Sequence, residues 1–365
     1  MRVLTVNTGS TSVRLAVYQC ADDAPRSVKS LRVEAGDDQA QVVLEGFLKS
    51  LDVSLPDGVA HRVVHGGENL VSPARVDDPD GTVRAEIQRL TSLAPLHNAR
   101  ALRWMSACDV VVPGVPQVAV FDTAWYASLP EVARHYALSR ELVDRLALRR
   151  FGFHGIAHQA MVRTVLAGHA NPDSVRVISL QLGGGCSLTA SRGGKAVDTT
   201  MGFSPLEGLV MASRSGDVDP GLVTWLCSHG MSPAEVDALL NQQSGLLGMA
   251  GSADLGELLK RDDGEARLAV DLYVYRARKA LGAALVLLGG ADIIVFGGGV
   301  GEHLPEVRAR ILADLDWAGI RLDSPANETA RGGAALLSEP GSPVVVRVVE
   351  VDEGAILAEA ACAAA

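Results

Sequence analysis

The sequence predicts an α/β protein built from two related domains. A strand–turn–strand pattern at the N-terminus recurs about half the chain later, and in the second half apolar strands alternate with helix-like stretches. The length, 365 residues of which 48% are hydrophobic and 21% charged, is enough for two cores of roughly 150 to 200 residues each.

The first element, RVLTVNTGSTSVRLAVY, is a β-branched apolar run, a polar turn and a second alternating run, the pattern of a hairpin. VRVISLQLGGGCSLTASRGGKAVDTT repeats it: strand, glycine turn, strand, Gly-Gly turn, third strand. An internal duplication explains the repeat, with chance likeness of two hairpins as the alternative. DPGLVTWLCSHG reads as a helix with Asp219 as N-cap, Pro220 at its first position and Gly230 as its stop, presenting Leu222, Trp225 and Leu226 on one face. Further on come a long helix, an apolar strand (293–296), a glycine loop, and a helix opened by Pro305 and Glu306.

A net charge of −10 gives nucleic acid or an anionic membrane no electrostatic reason to bind, while a local basic cleft for a small anion stays compatible with it. No apolar run approaches the ~18 residues that span a bilayer. Five scattered cysteines without a CxxC pair argue against a disulfide framework or a thiolate zinc site, and lead us to expect a cytoplasmic protein.

Three glycine-rich stretches (7–12, 183–187 and 297–301) are candidate phosphate loops. None is a dinucleotide fingerprint, since Leu188 and Glu302 stand where the third glycine belongs, and Gly194-Lys195 lacks the remainder of a P-loop. What remains is exposed backbone N–H, suited either to a tight turn or to phosphate oxygens. HRVVHGGE and FGFHGIAHQ each space two histidines four apart, but glycines at 66 and 155 argue against a zinc helix. Together with Arg62 and His97 these histidines lead us to expect an anion site. Asp122 follows an apolar strand, which suits strand-end capping or cation binding. Arg214 lies in a Gly/Asp loop before a helix, either a surface turn or an arm reaching into a cleft. Asp352 and Glu353 precede the last helix, compatible with its dipole or with Mg²⁺.

Taken in order, VLTVNTGSTSVRLAVY, HRVVHGGE, APLHN, VFDTAW, RRFGFHGIAH, LQLGGGCSLTA, DTTMGFSPLEG, SRSGDVDPG, SGLLGMAG, FGGGVGEH and the closing VDE resemble the acetate kinase family over nearly the whole chain. The resemblance implies two ribonuclease-H-like domains of the actin and sugar-kinase superfamily with a nucleotide cleft between them: 1–126 plus 350–365, closed by the C-terminal helix, and 127–349, which binds nucleotide and dimerises. It implies reversible transfer of a phosphoryl group from ATP to acetate, with Mg²⁺ or Mn²⁺, in a homodimer. Propionate or butyrate as acceptor, another phosphoryl donor, or a binding protein with weakened catalysis are the alternatives.

Carried over by motif, Asp122, His154 and Arg214 are the catalytic residues implied, and Asn7 and Glu353 the metal positions. Arg62 would orient the acyl carboxylate, with His97 as a further polar group and Val64, Leu96, Phe153 and Pro205 forming the acyl pocket. Ser10, Ser12, Arg14, Gln181, Leu182, Gly183, Gly184, Gly185, Asp254, Leu255, Gly256, Gly299, Val300, Gly301, Glu302 and His303 would contact nucleotide and phosphates. The chain departs from the family at Arg14 (usually Lys), Gln181 (His), Gly184 (Asn), Gly256 (Arg) and His303 (Asn), and HNAR lacks the usual proline.

Overall fold

A computed structural model describes residues 1–9, 12–21, 24–34, 39–51, 55–78 and 80–364, without the side chains of Pro95 and Leu96. The chain divides into two compact units: Met1–Ala127 with Phe153–Ile156 and Asp352–Ala365, and Ser128–Gly152 with Ala157–Val351.

The first unit holds a six-stranded sheet of β1 (Arg2–Thr8), β2 (Val13–Gln19), β3 (Arg26–Val33), β4 (Gly58–Val63), β5 (Ala74–Arg75) and β6 (Gln117–Phe121). Their order is β3-β2-β1-β4-β6-β5; β1 to β3 form antiparallel hairpins, and β1, β4 and β6 run parallel. Strands buried on both faces read as near-continuous apolar runs, as in VAVF. Helices Ala40–Lys49 and Pro95–Val111 bring Leu44, Phe47 and Trp104 into one core with Leu4, Val6 and Leu15. The last helix, Glu353–Ala363, starts at Asp352, whose carboxylate accepts from Ala355 N and from Tyr18 Oη (2.6 Å).

The second unit holds β7 (Arg176–Leu182), β8 (Cys186–Arg192), β9 (Lys195–Thr199), β10 (Ile293–Gly297), β11 (Ala335–Leu336) and β12 (Val345–Val348). Read from the hairpin end, its order is β9-β8-β7-β10-β12-β11, and its strand directions match the first sheet strand for strand. The two hairpin stretches therefore mark the starts of two copies of one topology. Helix Gly264–Leu288 is capped by Asp263 and buries Val270, Tyr273, Ala277 and Leu281. Among the described residues no helix is long and apolar enough to cross a membrane.

One sequence expectation changes here. FGGGVGEH is not a loop after its strand: Gly298–His303 forms a short helix with Gly297 at its N-cap, because Glu302 Oε1 folds back to accept from Gly298 N at 3.1 Å. Helix Pro220–Ser228 forms with the expected Asp219 cap and Pro220 at its first position, and none of its residues is buried.

Candidate active site

In the first unit the polar residues meet at the ends of β1, β4 and β6. Asp122 lies one residue past β6, and its carboxylate is buried against Arg62 on β4, with Nη2 at 2.6 Å and Nε at 3.1 Å from Oδ2. Arg62 Nη1 reaches Asn7 Oδ1 at 3.3 Å, and Asn7 Nδ2 donates to Glu353 Oε2 at 2.5 Å. Asp122, Arg62, Asn7 and Glu353, drawn from four separate motifs, thus form one chain of contacts. Burial pushes the Asp122 carboxyl above its ordinary value, opposed by Arg62 and by the Ile156 N–H. Burial alone would depress Arg62, but Asp122 and Glu353 more than offset it and hold its pKa above the ordinary value. Asp122 Oδ1 is buried without a hydrogen-bond partner.

His154 is half-buried with φ of +58°, a left-handed conformation uncommon outside glycine, immediately before helix Gly155–Leu166. Phe153 and Val64 are buried; the Phe153 ring meets His65 edge-on, with centroids 5.5 Å apart, and its carbonyl accepts from Tyr126 Oη at 3.0 Å. His97 is half-buried in the first turn of Pro95–Val111. Ser12 and Arg14 line a groove of about 420 Å³ with Asn7, Arg62 and Glu353. Ser10 and the Leu96 side chain lie outside the described residues.

The expected histidine anion cluster does not form as read. His61 is buried on Gln117 (2.7 Å), and His158 is buried between Ser179 and Ser187 (2.7 Å each). His65 Nδ1 accepts from Gly67 N at 3.0 Å. Burial pushes His61 and His65 down to about 4 and His158 to about 3, so all three are neutral at pH 7 and serve the fold.

In the second unit the glycine hairpin closes through Gly183 N to Gly185 O at 3.1 Å. Gln181 pairs with Gly297, and a Cβ at Gly183 would lie 3.9 Å from Gly299 N, so the hairpin and the Gly298–His303 helix are neighbours. Gly298 has φ of +78° and a Cβ there would crowd the Leu182 carbonyl, which requires glycine. Gly184 and Gly299 are exposed, whereas Leu182, Gly301 and Glu302 are buried. Gln181 Oε1 is buried without a hydrogen-bond partner. Ala212 N donates to Gly184 O at 3.1 Å and ties the Arg214 loop to the hairpin.

Arg214 donates to Pro205 O at 3.2 Å and lies 3.8 Å from Met211 Sδ; no carboxylate pairs with it among the described residues, and burial lowers its pKa. A half-buried cation without a counter-ion is poorly solvated and is stabilised when an anion arrives. Asp254 caps helix Leu255–Leu258 through Gly256 N (2.8 Å) and Glu257 N (3.2 Å), Leu255 is buried, and a Cβ at Gly256 would lie 3.5 Å from Leu304. Val300 is half-buried, and His303 is exposed with its ring against Gly332.

Several supports escape a motif reading. Asn98 brackets His65 through its backbone N (3.1 Å) and O (3.0 Å), and Arg100 donates to Gly9 O at 2.9 Å. Arg308, fully buried, donates to the carbonyls of Gly301, Glu302, Asn327 and Ala330 and so holds the end of the short glycine helix. Its sequence context, PEVRAR, is that of an ordinary helix, and only Asn98, adjacent to His97 in APLHN, carried a nearby signal.

The acetokinase family model matches residues 48–359. The chain belongs to this family. Acetate kinase of Streptomyces coelicolor is 40% identical to it over 386 positions, covering 96% of this chain and 94% of the relative. The Porphyromonas gingivalis acetate kinase structure superposes with a TM-score of 0.87 at 34% identity, covering 99% of each chain. A propionate kinase of Francisella tularensis gives 0.86 at 28% identity, again covering 99% of each. Family membership makes the chain a phosphotransferase with a carboxyl acceptor.

Proposed function

We propose that this protein is an acetate kinase, catalysing reversible transfer of the γ-phosphoryl group of ATP to acetate. The observation that carries the reading is the Asn7–Arg62–Asp122–Glu353 constellation, in which family motifs far apart in sequence converge on one buried ion pair. Acetate is ionised at pH 7 and needs no base, so catalysis consists of positioning and charge stabilisation. Arg62 orients the carboxylate, with Val64 and Phe153 as apolar wall. Arg214 meets the charge spread over the phosphoryl oxygens, as does His154. Gly184 and Gly299, both exposed, offer backbone N–H to the nucleotide.

The donor set suits Mg²⁺: Glu353, Asn7 Oδ1 and the unpartnered Asp122 Oδ1 are hard oxygen ligands, and Mg²⁺ commonly takes one or two carboxylates plus substrate phosphates. When bound, the metal neutralises charge on the phosphates. A homodimer is supported by family resemblance and by the exposed Leu268, Tyr275, Val286 and Leu287 on helix Gly264–Leu288, and a cytoplasmic location by the scattered cysteines without a CxxC pair. Propionate remains the second acceptor, favoured by the fully apolar Val64 and Phe153 wall.

Trapping with hydroxylamine tests the reading across acceptors and donors. Acetyl hydroxamate should form with ATP, Mg²⁺ and acetate; failure with acetate, propionate and butyrate alike under every donor would overturn it.

A further inference from the structure

The carbonyls of the Gly183-Gly184-Gly185 turn are satisfied in two different ways. Gly183 N donates to Gly185 O and Ala212 N donates to Gly184 O, at 3.1 Å each, contacts that backbone can supply whatever the side chains are. Gly183 O instead accepts from the Cys186 thiol, with Sγ at 3.3 Å. The same sulfur lies 3.2 Å from Tyr273 Oη on helix Gly264–Leu288. A thiol has a single proton, and this one goes to the carbonyl, so the phenol donates to the sulfur. Both side chains are buried, and burial raises both pKa values, which keeps the relay from Tyr273 through Cys186 to Gly183 protonated at pH 7.

Core packing does not account for the phenol. Tyr273 sits on the helix face that also buries Val270, Ala277 and Leu281, where a phenylalanine ring would fill the same space with no polar atom to satisfy. Nor do sterics hold the turn: a Cβ at Gly184 would meet nothing within 4 Å, and a peptide between two glycines has no Cβ on either side to resist turning over. The Gly183–Gly184 peptide is planar and trans, so its C=O and N–H point in opposite directions. Drawing the Gly183 carbonyl onto the buried thiol therefore turns the N–H of the exposed Gly184 away from the core.

We propose that Tyr273 and Cys186 are a positioning pair for the phosphoryl donor: through the Gly183 carbonyl they fix the peptide orientation in which Gly184 N–H meets the nucleotide phosphates. Neither residue touches the nucleotide, and the pair rests on the kinase reading for the identity of its ligand.

Calorimetric titration of the full chain with ATP and Mg²⁺ in the absence of acetate, beside steady-state kinetics, tests it. Tyr273→Phe and Cys186→Ala should each weaken ATP binding about two- to tenfold, the worth of one hydrogen bond, with kcat and the KM for acetate within about twofold of wild type. The double variant should be no weaker than the weaker single, because both side chains act through one carbonyl. Cys186→Ser keeps a donor and should fall between wild type and Cys186→Ala. A role in packing alone would lower Tm and leave ATP affinity in place. Unchanged ATP affinity in a folded Tyr273→Phe, equal losses for ATP and acetate, or no ATP binding by wild type overturns the pair. Should Cys186→Ala fail to fold, Tyr273→Phe and Cys186→Ser decide by the same criteria. Weakened ATP binding by Tyr273→Phe in a protein that makes no acetyl phosphate would leave the pair standing and remove the kinase reading.

Discussion

Gly155 packs so tightly on Asp122 that a Cβ at position 155 would overlap the Asp122 carbonyl oxygen. The close approach brings the start of helix Gly155–Leu166 onto the strand end that carries the Arg62-paired carboxylate, and the Ile156 N–H faces that carboxylate. In a sequence the glycine of FHGIAH looks like a helix breaker. In the fold it is the residue that lets His154 and Asp122 share one corner.

Gly155→Ala is accordingly expected to displace the Asp122 backbone, lowering kcat/KM about 100-fold and stability by about 1 to 3 kcal/mol. Urea unfolding and steady-state kinetics check both. Gly264→Ala, where a Cβ would meet nothing within 4 Å, serves as the neutral comparison.

Arg214 is half-buried, and no carboxylate pairs with it among the described residues. Arg214→Met should lower kcat by roughly 100- to 1,000-fold while leaving Tm unchanged or raised. A large fall in Tm would assign Arg214 to the fold instead of the phosphoryl group.

Three buried neutral histidines make stability depend on acid. With folded pKa values near 4 for His61 and His65 and near 3 for His158, against an ordinary 6.5, the unfolded chain alone takes up protons as pH falls below 6.5. Their contribution is complete above that pH and is lost progressively below it. Tm should already fall between pH 6.5 and 5, above the main carboxylate range, and a flat Tm over that interval would contradict the burial of these rings.

Gln181 keeps a buried Oε1 without a partner beside the glycine hairpin, at the position where the family resemblance implies histidine. A glutamine amide can donate to phosphate but stays neutral, whereas a protonated imidazole both donates and carries positive charge. Gln181→His should raise kcat/KM for ATP several-fold, and an unchanged or lower value would remove position 181 from the phosphate contacts.

The duplication was legible because strand alternation and turn residues are local signals, and both hairpins obey them. In sequence the glycine stretch at 297–301 looks like a loop because its glycines weaken any helix signal; the Glu302 side chain accepting from Gly298 N decides for a helix. The paired histidines were ambiguous for a different reason: spacing shows that they are near each other but not whether they face solvent or a serine. Asp122 could be singled out as a carboxylate after an apolar strand, yet its partner Arg62 sits 60 residues away, and no local pattern joins them. Arg308, the main support of the glycine helix, bonds carbonyls that every residue possesses and so leaves no trace in composition.

The most direct test of the central claim follows the phosphorus itself. ³¹P NMR of the purified protein with ATP, Mg²⁺ and acetate should show ADP and acetyl phosphate appearing in equal amounts, and the reverse on adding both products. ADP accompanied only by inorganic phosphate, or no turnover at all, would contradict it.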